Sequence, residues 1–287
     1  MDIRAILMGL AFAAMWSSAF TSARVIVAHA PPLTALSLRF LISGLLGVAI
    51  AWWLGQNARL TRQQWLGVVV FGLCQNALYL GLNFVAMQTV EASLAAIIAS
   101  TMPLLVALFG WSVLGKRTQP LGVAGLIAGV IGVAIIMGAR LEGGADVWGV
   151  LLCVLGVVSL TVATLAVLGA TSGGNVLMIV GLQMLVGSAA LFVPAMLWET
   201  WDVTWTWQLV IAFAYTTLVP GLLATLVWFL LVRRIGAVKA ATFHFLNPFF
   251  GVAVAAVFLS EAIGTLDVVG VVIISAGILA VQRSREA

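Results

Sequence analysis

Residues 91–117 read EASLAAIIASTMPLLVALFGWSVLGKR, and residues 236–262 read GAVKAATFHFLNPFFGVAVAAVFLSEA. Superposed without a gap, at a shift of 145 residues, they bring Ala92, Ala95, Ala96, Pro103 and Leu114 onto Ala237, Ala240, Ala241, Pro248 and Leu259. The register continues beyond them: Leu121, Gly125 and Gly132 fall on Leu266, Gly270 and Gly277. Alanines pair by chance easily in so apolar a chain. A proline inside each run, with two glycine pairs in step behind it, is much harder to obtain that way. Self-similarity at a fixed period marks a repeated structural unit, and it divides the chain into residues 1–142 and 143–287.

Composition says what medium these units occupy. The chain is 63% hydrophobic and 8% charged, against about 25% charged in soluble domains. Ten apolar stretches, each near the roughly 20 residues needed to span a bilayer, occupy 4–28, 33–54, 65–87, 91–114, 120–139, 147–169, 175–197, 208–232, 236–259 and 265–282. In lipid the backbone must satisfy its own hydrogen bonds, so the stretches are predicted to be helices. Ala28-His29-Ala30 faintly resembles a signal cleavage site, but the run before it is long enough to span, whereas a signal core has about 7–15 residues. The expected fold class is therefore all-α and integral to the membrane: ten transmembrane helices, as two inverted five-helix repeats around a central cavity. The connections are too short to hold a soluble enzymatic module.

The inversion follows from arithmetic and is visible in the charges. Five spans per unit make the second unit enter from the opposite side. Lys116 and its repeat partner Glu261 then carry opposite charge at opposite faces. One side collects Arg4, Arg59, Arg62, Lys116, Arg117, Arg233, Arg234, Lys239, Arg283 and Arg285, and the other holds Arg24, Arg39 and Arg140. By the positive-inside rule, both termini are expected to be cytoplasmic. Acids gather opposite, at Glu91, Glu142, Asp146, Glu199, Asp202, Glu261 and Asp267. Basic residues dispersed among short loops, and not on one patch, argue against a nucleic-acid partner. Trp52, Trp53, Trp65, Trp111, Trp148, Trp198, Trp201, Trp205 and Trp207 stand at span ends, as an interfacial belt does. Cys74 and Cys153 lie in apolar runs and there are two histidines, so neither a metal site nor a cofactor is expected.

The paired segments, Glu91-Ala92-Ser93-Leu94-Ala95-Ala96 to Pro103 and Ala237 to Pro248, resemble the EamA motif of the drug/metabolite transporter superfamily. Trp16-Ser17-Ser18-Ala19-Phe20 is similar to that family's first-span motif. The resemblance covers both halves, and it departs at Lys116, where the family often has Glu. Within the family the chain is similar to amino-acid exporters. That likeness implies a ten-helix basket with a central cavity and export of aromatic and other amino acids across a cell membrane, the bacterial inner membrane being the expected one.

Polar side chains at membrane depth are costly and are candidates for function; the competing reading is hydrogen bonding within or between helices. Asn76, Tyr79 and Asn83 share one predicted face of span 3. His244, Asn247 and Gly251 share one of span 9, beside Pro248, whose ring disturbs the helix. Ser100 and Thr101 stand beside Pro103 at the equivalent place in the first half. Thr217 and Trp228 lie along span 8 with Pro220 adjacent, and Trp16 with Ser17 lies inside span 1. Their indoles stack on solute or pack in the bundle. Thr161 and Thr164 in span 6 are weaker candidates. Helix breaks at corresponding positions of two halves point to a transporter site, which makes Pro103, Pro220 and Pro248 candidate gating elements. Gly122, Gly125, Gly129, Gly132, Gly270 and Gly277 mark close-packing faces on two scaffold spans.

No Asp or Glu stands at the middle of a span, and Arg39, near a span end, is expected to snorkel. His244 is the one midplane group suited to titrate near neutrality. The expected solute is small, amino acid-like and neutral or zwitterionic. Its transport would proceed by alternating access, facilitated or only weakly coupled to protons. An enzyme would need a nucleophile with its base, a metal set or paired carboxylates, which the spans lack. Besides solute and lipid no partner is required; a monomer suffices and a dimer stays open.

Overall fold

The computed structural model describes residues 3–112, 119–167, 175–235, 240 and 242–285, which form helices joined by short connections. Leu114, Lys116, Arg117 and Lys239 lie outside the described residues, so the Lys116–Glu261 comparison has only its Glu261 half in view. Spans 1 and 2 are α1 (Ile3–Val27) and α2 (Pro32–Trp53). Span 3 joins α3 (Arg62–Phe71), a π-helical segment (Gly72–Tyr79) and α4 (Leu80–Ala86). Span 4 is split into α5 (Ala92–Ala99) and α6 (Met102–Ser112). Then come α7 (Pro120–Glu142), α8 (Val147–Val167) and α9 (Val176–Trp198). Span 8 joins α10 (Trp207–Thr216), a second π-helical segment (Thr217–Leu223) and α11 (Ala224–Ile235). A 3₁₀ turn (Thr242–Leu246) leads into α12 (Asn247–Leu259), and α13 (Thr265–Arg285) follows. Among the described residues, seven helices are long and apolar enough to cross a bilayer, and Ala92–Val106, Asn247–Leu259 and Thr265–Ala280 are shorter apolar helices.

Small residues set the two main seams. On α2 and α9, a Cβ added to Gly44 would lie 3.0 Å from the Gly181 carbonyl, and one on Gly181 would lie 2.7 Å from the Val48 nitrogen. On α7 and α13, a Cβ on Gly277 would lie 2.6 Å from the Gly125 carbonyl, and one on Gly132 2.9 Å from the Gly270 carbonyl. Without a hydrophobic drive between helices in lipid, such backbone approach supplies van der Waals association. Each seam joins a helix to the one that the sequence repeat makes its counterpart.

The irregular segments also recur in register. The π-helical run beginning at Gly72 is matched, 145 residues on, by the one beginning at Thr217. Span 4 breaks at Ser100–Thr101 before Pro103, and span 9 changes from 3₁₀ to α at Leu246–Asn247 before Pro248. Proline suits a first helical turn, where its missing N–H is not needed. The two broken spans cross at Gly251, where an added Cβ would lie 2.5 Å from Ala96 Cβ.

The loops sort into an acidic face (28–31, 87–91, 143–146, 199–206, 260–264) and a basic face. On the acidic face the carboxylates cap helices distant in sequence. Glu199 accepts from Leu33 N, Thr34 N and Thr34 Oγ1, each at 2.7 Å. Glu261 accepts from Ala92 N at 2.8 Å and Ser93 N at 3.0 Å. These bonds satisfy orphan N–H groups and place negative charge at helix N-termini. Asp146 accepts from Thr89 Oγ1 at 2.6 Å and from the Trp148 and Gly149 N–H groups. The Thr89 hydroxyl, first, and then those N–H groups hold the Asp146 carboxyl below its ordinary range. On the basic face Gln56 Oε1 caps α9 at Met178 N, 3.1 Å away, and Thr61 with Gln64 forms a capping box on α3.

Candidate functional site

Spans 1, 2, 3 and 8 enclose a narrow cavity in the part of the bundle nearer the acidic face. Its walls include Trp16, Phe20, Arg39, Tyr79, Asn83 and Thr216, and in this closed arrangement it offers about 30 Å³ to a water-sized molecule. Phe84 and Met87 line it toward the acidic face, and Pro220 faces it from the second π-helical segment.

The polar groups of this wall are incompletely satisfied. Asn83 Nδ2 donates to the Tyr79 carbonyl at 2.8 Å, while Asn83 Oδ1 and the Tyr79 hydroxyl, both buried, have no partner. Gly156 of α8 leaves room for the amide: a Cβ there would stand 2.7 Å from Asn83 Nδ2. Buried polar atoms are nearly always paired in folded proteins, and these two belong to residues that line the cavity, which makes them candidates to meet a polar solute.

A closed aromatic cluster lies beside the cavity, with Trp16 common to both. Phe12, Trp16 and Trp228 surround the His244 ring at centroid distances of 5.2, 6.5 and 4.9 Å, all edge-on. Asn247 Nδ2 and His244 Nδ1 are 2.9 Å apart, and Ser17 Oγ donates to the Asn247 carbonyl at 3.3 Å. Asn247 Oδ1 is buried without a partner. The structure thus gathers Trp16, Ser17, Trp228, His244 and Asn247 into one packed unit joining spans 1, 8 and 9.

Other candidates stand elsewhere. Asn76 turns from Tyr79 and Asn83: its Nδ2 donates to the Gln183 carbonyl at 3.0 Å, and its side chain fills the space left by Gly187 on α9. The physical reason is the π-helical segment, whose wider turn removes Asn76 from the stripe that α-helical spacing predicts. Ser100 and Thr101 bond back to Ile97 and Ile98, and Pro103 lies just past the break. Thr161, Thr164 and Thr217 return their hydroxyls to the carbonyls four residues earlier. Pro248 opens α12.

Sequence reasoning missed Arg39. It does not snorkel: it is 4% exposed, its Nε donates to the Thr216 carbonyl at 3.1 Å, and it lines the cavity. Pro220 has no N–H to give that carbonyl four residues back, which leaves it available to the guanidinium. The available signal was depth, since Arg39 lies about two turns inside span 2. Among the described residues no cluster of His, Cys, Asp or Glu could hold a metal ion.

Comparison with known proteins places this architecture. The EamA-like transporter family model matches twice, over residues 3–138 and 147–282. An uncharacterized transporter of Bacillus subtilis (strain 168), YvbV, is 29% identical over 95% of this chain and 90% of its own length. The uncharacterized inner membrane transporter YedA of Escherichia coli (strain K12) is 26% identical over 87% of this chain and 79% of its own. The aromatic amino acid exporter YddG of Ancylobacter novellus is 31% identical, over 48% of each chain. A crystal structure with 22% sequence identity superposes at TM-score 0.71 over 100% of both chains, which supports the fold. Matched in both halves by one family model, and along most of its length by transporters, the chain is a multi-pass membrane protein that belongs to the EamA-like transporter family.

Proposed function

We propose that this transporter exports a small amino acid-like solute, aromatic or otherwise neutral or zwitterionic, by alternating access between two inverted five-helix units, 1–142 and 143–287. The carrying observation is a cavity lined by Trp16, Phe20, Tyr79 and Asn83, of which the Tyr79 hydroxyl and Asn83 Oδ1 are buried without a hydrogen-bond partner. Aromatic faces suit an apolar side chain, and the unpaired oxygens suit an ammonium or hydroxyl donor. The His244 cluster supplies the packed element on one side of the cavity, and the symmetric breaks at Pro103 and Pro248 supply places for the bundle to bend. Lacking a carboxylate at mid-depth, the translocation is facilitated, with His244 as the one group available for weak proton coupling. The protein works in a bacterial inner membrane with both termini cytoplasmic, as a monomer.

The experiment is flux of radiolabelled phenylalanine, tyrosine and threonine in proteoliposomes. Saturable uptake is expected, with KM raised by Tyr79→Phe and Asn83→Ala and unchanged by collapse of the proton gradient. No saturable flux of any amino acid would refute the substrate class and leave another small metabolite as the cargo. Strict dependence on the gradient would refute the uncoupled mode.

A further inference from the structure

We infer that Arg39 is the anion-binding residue of the cavity and that the solute presents a carboxylate to it. This rests on the transport reading above and adds to it a chemical requirement on the cargo. A guanidinium carries five N–H donors. Among the donors only Nε makes a hydrogen bond, to the Thr216 carbonyl; the guanidinium carbon lies over the Phe40 ring at 4.9 Å, and among the described residues no Asp or Glu pairs with Arg39. The Nη donors therefore remain for a ligand on a cavity wall. A buried cation without an anion is expensive at membrane depth, and such residues normally pair.

Two adjacent residues of span 8 hold this cation in place. Pro220 withholds an N–H from the Thr216 carbonyl, and Gly221 makes room, since a Cβ there would stand 2.8 Å from that carbonyl oxygen and 3.1 Å from Arg39 Nη2. The Nη pair matches a carboxylate in fork geometry. Tyr79 and Asn83 line the same cavity, with an unpaired hydroxyl and an unpaired carbonyl oxygen. A zwitterion thus finds a donor fork for its carboxylate and acceptors for its ammonium, with Trp16 and Phe20 beside its side chain. A residue that merely clamps α2 to span 8 needs only the Nε bond, and its loss would lower transport of all solutes alike.

The test compares phenylalanine with phenylalanine amide, which keeps the ring and ammonium and loses the carboxylate charge. Both are measured in proteoliposomes with the full chain, Arg39→Gln, Arg39→Lys and Gly221→Ala. The wild-type protein should favour phenylalanine over the amide by about tenfold or more in kcat/KM, the scale of a charge-assisted bond. Arg39→Gln should remove that preference, Arg39→Lys should keep part of it, and Gly221→Ala should weaken it by pressing on the Thr216 carbonyl and on the guanidinium bonded to it. If Arg39→Gln does not fold, the latter two variants carry the test. Equal transport of both solutes by the wild type, or an undiminished preference in all folded variants, would overturn the carboxylate assignment and leave amino-acid transport standing. Transport of neither solute by the wild type, nor of any other amino acid, would overturn both.

Discussion

Two glycine-to-alanine substitutions on the scaffold pair isolate the strength of helix association in this bundle. Gly277 faces α7, where a new Cβ would lie 2.6 Å from the Gly125 carbonyl and 2.9 Å from the Gly129 nitrogen. These are backbone atoms and cannot rotate away. Reaching the ordinary contact distance of 3.4 Å from 2.6 Å requires α7 and α13 to separate by 0.8 Å. Gly138 on the same α7 has nothing within 4 Å of its added Cβ. Both substitutions gain the same helix propensity of about 1 kcal/mol, so their difference reports the seam alone. Overpacking of this kind costs about 1–3 kcal/mol, and Gly277→Ala should be less stable than Gly138→Ala by that amount. Reversible unfolding in mixed micelles of increasing SDS fraction measures it. Substrate KM should be unchanged in both, because neither residue lines the cavity. Equal stability of the two variants would refute the argument that backbone contact between α7 and α13 holds the scaffold.

Glu199→Ala removes a carboxylate that accepts three hydrogen bonds at the start of α2; loss of a cap costs about 0.5–2 kcal/mol, read by the same unfolding assay, with Glu199→Gln intermediate. Asn76→Ala should cost about 0.5–1.5 kcal/mol of stability and leave KM unaltered, since its amide serves α9; a large KM change would show that it meets solute. The Asp146 carboxyl is held below its ordinary 3.8, so its bonds contribute stability above that value and lose it as pH falls through the lowered pKa. Asp146→Asn should flatten the acid limb of a stability–pH curve, and an unchanged limb would refute the assignment.

Much of this molecule was legible in its sequence, and the gaps have definite causes. Span positions, the repeat register and the breaks at Pro103 and Pro248 follow from apolar length and from proline chemistry, which are local. The Gly270 and Gly277 faces were legible because small residues at helical spacing have few other uses in lipid. Alpha-helical spacing puts Asn76 on the Tyr79 face, but the segment is π-helical, and nothing in GLCQNALY announces that turn. Position near a span end makes Arg39 look like a snorkelling residue, because its partner, the Thr216 carbonyl, stands 177 residues away on span 8. In sequence Glu199 and Glu261 mark only sidedness, since a cap supplied across the fold has no nearby sequence signature.

Those distant caps also impose an order in time. Leu33 and Glu199 are separated by 166 residues, and Ala92 and Glu261 by 169. At a synthesis rate of about 5–20 residues per second, the ribosome needs roughly 8–34 s to deliver either carboxylate after its helix has been made. Until then the first turns of α2 and α5 must borrow water or lipid headgroups for their N–H groups. The acidic face is thus sealed late in biogenesis, and only by the half of the chain that emerges last.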